Sequence, residues 1–171
     1  MQMVKNSLIM FTIVWLAIFL FMPKQEIYYK IERELLEHNI ELNEASIDEG
    51  LFSLTLKGVA VYAKGINVAN IKQVDLLTLL FYSSVQAQAL HLSDSLKSMV
   101  SGDMKGLVLS HSILSPLNIL VSADGSFGSL RGNMDISERK IHLDFNESKN
   151  IEVIKKYLKK SEKGWYYETS F

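Results

Sequence analysis

The side chains best suited to proton transfer or metal ligation are four histidines, His38, His91, His111 and His142. None stands in a metal-ligand spacing such as a helical pair four apart, and His91 and His142 alternate with apolar neighbours as strand residues do. Surface or packing roles account for them. Ser137 and Lys140 form a Ser-x-x-Lys pattern, but it falls in an expected hairpin turn, away from a buried helix start, and lacks the partner motifs of a serine acyltransferase. Gly125, Gly128 and Gly132 are spaced by three and four, which is not the dinucleotide fingerprint, and they precede a strand. Turn and bulge geometry is their expected role. The sequence has no cysteine, which excludes a thiol nucleophile, Cys-ligated zinc or iron–sulfur sites, disulfides and lipoprotein acylation. The expectation is a non-enzymatic protein with no catalytic residue, no cofactor and no metal.

Two further features carry possible chemistry. Asn146 with Ser148 makes an Asn-x-Ser acceptor, and Asp144 two residues earlier is the acidic position of the extended bacterial acceptor pattern, so Asn146 is a candidate N-glycosylation site. Helix capping by a polar, acidic linker is the competing reading. Lys155, Lys156, Lys159, Lys160 and Lys163 form the one basic cluster, expected as the solvated face of a helix, with contact to anionic lipid heads or acidic partner surfaces as the alternative. The chain carries 18 Lys and Arg against 19 Asp and Glu. Balanced charge leaves no electrostatic footprint for nucleic acid.

These residues need elements to hold them. From Leu8 to Met22 every residue but Thr12 is apolar, and the uncharged stretch between Lys5 and Lys24 would run about 27 Å as a helix, close to the roughly 30 Å hydrocarbon thickness. Small residues for signal-peptide cleavage are missing after it. The expectation is an uncleaved single-pass anchor over residues 1–23, in a bacterial inner membrane, with residues 24–171 as one periplasmic domain.

Ile27, Ile31 and Leu35, with Tyr28 and Leu36 beside them, recur at helical spacing through Ile40 and predict an entering amphipathic helix. The period then becomes two. Leu54 and Leu56, then Val59, Val61 and Ala63, alternate with polar neighbours, and Gly58 sits where the alternation shifts, as a bulge requires. Further strands are predicted around Ile66 to Leu76, Val85 to Leu92, Leu107 to Leu109, Leu117 to Val121, Leu130 to Ile136 and Ile141 to Phe145. Asp75 to Tyr82 reads equally as a buried helix or a buried strand, and Leu96 to Val100 as one helical turn. Ile151, Ile154 and Leu158 predict a C-terminal amphipathic helix capped by Asn150 or Ser148, ended by Gly164 and followed by a strand from Trp165 to Phe171. The fold class expected is a mainly antiparallel sheet of about seven to nine strands with a helix at each end.

The order of these features, from the short anchor ending in Pro23, through Leu54, Leu56, Gly58, Val59 and Val61 and the Val74, Asp75, Leu76 run, to the Gly125–Ile136 hairpin returning through Arg139, Ile141 and Leu143, resembles the bacterial type II secretion system protein N family. That family is similar in turn to the AsmA and TamB group of periplasmic proteins. The resemblance implies a membrane-anchored component of a secretion or envelope-assembly system, with other membrane or periplasmic proteins as partners. The alternative it implies is an AsmA-like lipid-handling module, whose curved sheet would hold acyl chains. A scaffold sheet buries one face under its helices, whereas a lipid groove leaves a continuous apolar face open.

Overall fold

The computed structural model describes residues 2–21, 23–79, 81–93, 103–146, 151, 154–161 and 164–171. Two helices, α1 (Gln2–Leu20) and α2 (Lys24–Glu37), precede the strands β1 (Ile40–Asn43), β2 (Ser46–Glu49), β3 (Ser53–Ala63), β4 (Ile66–Thr78), β5 (Tyr82–Leu92), β6 (Met104–Ser112), β7 (Ser115–Gly125), β8 (Gly128–Asp135), β9 (Lys140–Phe145), β10 (Lys159–Ser161) and β11 (Gly164–Ser170). All eleven strands belong to one antiparallel sheet in the order β1-β3-β4-β5-β6-β7-β8-β9-β11-β10, with β2 also on β3.

Strands β3 to β9 run as a meander, each pairing with the next; apart from the one between β5 and β6, the connections are of a few residues and leave antiparallel neighbours as the accessible partners. Along one edge, β2 pairs with Leu54–Lys57 and β1 with Ala60–Ala63. Gly58 divides these two halves of β3 and takes a φ of +61°, a left-handed conformation that glycine adopts without steric cost. Leu56 and Val59 are buried on either side of Gly58, so the burial alternation changes phase there, while the pairing register with β4 shifts at Val61/Tyr62.

α2 packs against β1 and β3. Its Tyr28 joins Leu54, Leu56 and Val59 in the buried cluster, with Leu42, Ile47, Val61, Ile71, Val74 and Leu76 around it. The aromatic residue, not the isoleucines, is the main anchor: Ile27 and Ile31 remain 39% and 48% exposed. Tyr28 Oη donates to Glu44 Oε2 at 2.8 Å, so its polar end is satisfied while its ring is buried.

The sequence expectations require several corrections. Among the described residues, no helix is long and apolar enough to cross a membrane. That overturns the single-pass anchor, and with it the inner-membrane location with a periplasmic domain. The reason lies in the helix limits: α1 ends at Leu20 and α2 begins at Lys24, so the residues counted between Lys5 and Lys24 do not form one helix. Gln2, Lys5, Asn6 and Ser7 occupy the start of α1, and the apolar stretch from Leu8 to Leu20 is about 20 Å long, against roughly 30 Å for a hydrocarbon core.

α2 stops at Glu37, and Asn39, with φ +61°, turns the chain so that Ile40 enters β1. Asp75 to Thr78 is strand, completing β4. In place of a C-terminal amphipathic helix there is a 3-10 turn over Lys155–Tyr157 followed by the β10–β11 hairpin. That hairpin brings the Lys155 and Lys160 ammonium groups over the Trp165 ring, 5.2 and 5.9 Å from its centroid, contacts a continuous helix would not make. Leu96 to Val100, and the expected caps Ser148 and Asn150, lie outside the described residues. The strand count exceeds the expected seven to nine because β1, β2 and β10 are only three or four residues long, too short for a period-two pattern to stand out.

Candidate functional site

Side chains directly opposite in an antiparallel pair share a face, so the register defines rows across the sheet. One row runs Ile47, Leu56, Val74, Ala87, Leu107, Ala123, Leu130, Phe145, Trp165. A second, two residues along each strand, runs Leu54, Leu76, Val85, Leu109, Val121, Gly132, Leu143, Tyr167. The row between them, on the opposite face, is Thr55, Asp75, Gln86, Val108, Ser122, Arg131, Asp144, Tyr166. The first row is apolar from β2 to β11 and the second from β3 to β11, whereas the next row on the same face includes Thr78, Ser83, His111 and Thr169, and Lys160 on the β10 edge pairs with Trp165; the opposite face is mostly polar.

The apolar face is covered unevenly. Under α2, Leu54 and Leu56 are 3% exposed. Farther along the same rows, Ala87, Ala123 and Leu130 are buried while Leu107, Leu109, Val121 and Leu143 are half-buried, and among the described residues neither helix packs comparably on β5 to β11. The protein's accessible surface is 12002 Å² at 19.4 kDa, where a compact chain of that mass exposes about 8,500 Å². A shallow cavity of about 210 Å³ opens at β5–β7, lined by Val85, Leu109, Ile119, Ser83 and His111 among others.

The residues singled out from the sequence do not converge. His38 ends α2, its backbone N–H donating to Leu35 O. His91 Nδ1 stands 3.0 Å from Asp103 Oδ1, and His111 Nε2 3.1 Å from Pro116 O. On the polar face, the His142 ring stacks on Tyr166, with its nitrogens 3.2 Å from Asp144 Oδ1 and 3.5 Å from Glu168 Oε2. A hydrogen bond from Lys159 holds the Glu168 carboxyl below its usual range. Ser137 Oγ donates to Asp135 Oδ1 at 2.6 Å, while Lys140 Nζ donates to Glu138 at 2.9 Å, so serine and lysine are each engaged by a different carboxylate. The Ser137 hydroxyl and the Glu138 N–H lower the Asp135 pKa. Among the described residues, no group of three His, Asp or Glu is placed to hold a metal ion.

Gly128 takes a positive φ in the β7–β8 turn, in keeping with the expected turn role. The lysine cluster is not a helix face: Lys159 and Lys160 belong to β10 and pair with Tyr166 and Trp165, and Lys163 lies outside the described residues. Asn146 is exposed, and its backbone N–H donates to Ser129 O, whereas Ser148 lies outside the described residues. Sequence reasoning raises an open apolar face as the mark of a lipid groove but does not assign its residues. The alternation was visible strand by strand, but which strand faces which way depends on register across the irregularities at Val61/Tyr62, Met104/Gly106 and His111/Ser112, which carry no distinct sequence signal.

No family model, no curated protein and no solved structure matches the chain.

Proposed function

We propose that the protein is a non-enzymatic lipid-handling module in which acyl chains lie against the uncovered apolar face of β5 to β9. The observation behind this reading is the second apolar row, in which Val85, Leu109, Val121 and Leu143 stay only half-buried past the helix-covered end, beside a first row in which Ala87, Ala123 and Leu130 are buried. Side chains such as Leu109 and Val121 lose free energy to water while uncovered, roughly 25 cal/mol per Å² of apolar surface. An acyl chain removes that water without requiring any hydrogen bond in return. A scaffold role in secretion is less favoured, because it expects helices over the whole face and α2 reaches only the β1–β3 end. In the resemblance drawn from sequence pattern, lipid handling is the alternative to a secretion role.

The test is titration of the full chain with a fluorescent polyene fatty acid. Saturable binding is expected, weakened about tenfold or more in Leu109→Asp/Val121→Asp, because a buried unpaired carboxylate opposes an apolar ligand. Gln86→Asp, on the polar face, should bind as the parent does. Thermal melts of each variant establish that the sheet persists. Absence of saturable binding, or equal binding by the folded double variant, overturns the proposal.

A further inference from the structure

The register also places a set of turns at one end of the sheet. Ser53 pairs with Leu77, Leu77 with Ser84, Tyr82 with Ser112, Asn118 with Asp135 and Lys140 with Ser170. The β2–β3, β4–β5, β6–β7 and β8–β9 connections and the C-terminal residue therefore share an end. Each presents large apolar side chains to solvent: Leu51, Phe81, Ile113, Leu114, Ile136 and Phe171 are 44–92% exposed, with Leu114 at 92%. Turn tips are ordinarily polar. At the opposite end, the β7–β8 turn folds its aromatic residue inward, Phe127 resting 6.2 Å from Phe145.

We infer that this rim of hairpin tips docks on a lipid surface. The inference goes beyond the acyl-chain reading and does not depend on any lipid occupying the sheet face. Two observations favour lipid over a protein partner. The tips are separate points divided by Ser112, Ser115 and Ser137, an arrangement suited to a fluid medium that closes around each one. α1 reaches the same rim through Trp15, whose ring meets Phe81 at 6.4 Å, and it exposes Leu8, Ile9, Met10 and Phe11 in succession. At 100° per residue these side chains point to all sides of the helix; a protein groove covers one face, and hydrocarbon covers them all. Among the described residues the helix is not long and apolar enough to cross, so it and the tips enter only the near side of the bilayer. Rim charges are matched, Lys24 with Glu49 and Lys140 with Glu138, so neutral lipid is sufficient.

The experiment is flotation of the full chain with phosphatidylcholine vesicles. The parent should float. Ile113→Ser/Leu114→Ser and Phe81→Ser should each lower partitioning, by about tenfold or more for the double variant; the double variant, whose side chains are exposed, should melt as the parent does, whereas Phe81→Ser also removes the Trp15 contact. Ile66→Ser, 60% exposed at the opposite end, should float as the parent does. A parent that stays at the bottom overturns the inference, as do rim variants that float equally well. A parent that dimerises without lipid, through contacts the rim substitutions abolish, and does not float would assign the rim to a second copy and overturn it too. Fatty-acid titration of the same rim variants keeps the two proposals separate: unchanged binding with lost flotation is the result expected when both hold.

Discussion

Trp15 meets Phe81 edge-on, ring centroids 6.4 Å apart with an interplanar angle of 83°, and this contact joins α1 to the β4–β5 tip across a large sequence separation. The geometry is the one aromatic quadrupoles favour. It fixes the apolar helix at the rim end of the sheet. Two helices of similar apparent purpose in the sequence thus do different things: one closes the core, and the other extends an apolar surface.

The closing role gives a first prediction. Leu56 is 3% exposed beneath Tyr28 and α2, so Leu56→Ala removes buried methyl groups and leaves a cavity, costing about 2–5 kcal/mol. Leu109, half-buried on the same face beyond the helix, should cost less when truncated in the same way, because part of its surface is already in water. Urea unfolding of the two variants checks the difference. Equal losses would mean that the face is covered as fully at β6 as at β3.

A second prediction concerns pH. Glu32, on α2, has its carboxyl pKa raised above the ordinary value near 4.5, first by burial and then by the carboxylates of Glu44 and Glu41. Burial and the Glu44 hydrogen bond also push the Tyr28 phenol up, so it remains a donor to Glu44 throughout. A carboxyl whose pKa is higher folded than unfolded contributes stability that is complete below the unfolded value and is lost as pH rises through the folded one. Glu32→Gln removes that loss. The variant should melt higher than the parent at pH 7 and at nearly the same temperature at pH 4. A parent-like melting temperature at both pH values would show that Glu32 feels neither burial nor its acidic neighbours.

How far the sequence carried the fold can be traced through particular residues. Leu54, Leu56, Val59 and Val61 announced a strand and its irregularity at Gly58, because side-chain alternation and the positive-φ requirement are local properties. Ile151, Ile154 and Leu158 announced a helix and were wrong, because the same spacing also fits a turn that buries Ile151, 2% exposed, before a short hairpin. The apolar run from Leu8 announced a span, because composition says nothing of where a helix ends. The face was illegible as a whole: it exists only once register aligns strands as distant as β3 and β9, and long-range pairing is not written in any single window.

The last prediction tests that alignment at its tightest point. Gly132 sits in the second apolar row between Val121 and Leu143, the one position in that row without a side chain. A Cβ built there would run into the backbone carbonyl oxygen of His142 on β9, and a backbone atom held in a ladder cannot step aside as a flexible side chain can. Gly132→Ala should therefore strain or part the β8–β9 pair, costing about 1–3 kcal/mol as overpacking does. Gly106→Ala, where nothing stands within 4 Å of the added atom, is the matched control and should be close to neutral. Thermal melts give the stability difference, and amide exchange locates it: protection should fall along β8 and β9 and be retained on β3 and β4. If Gly132→Ala melts like Gly106→Ala, the close approach of β8 to β9 is not a feature of the folded chain, and the apolar row is not continuous across that pair.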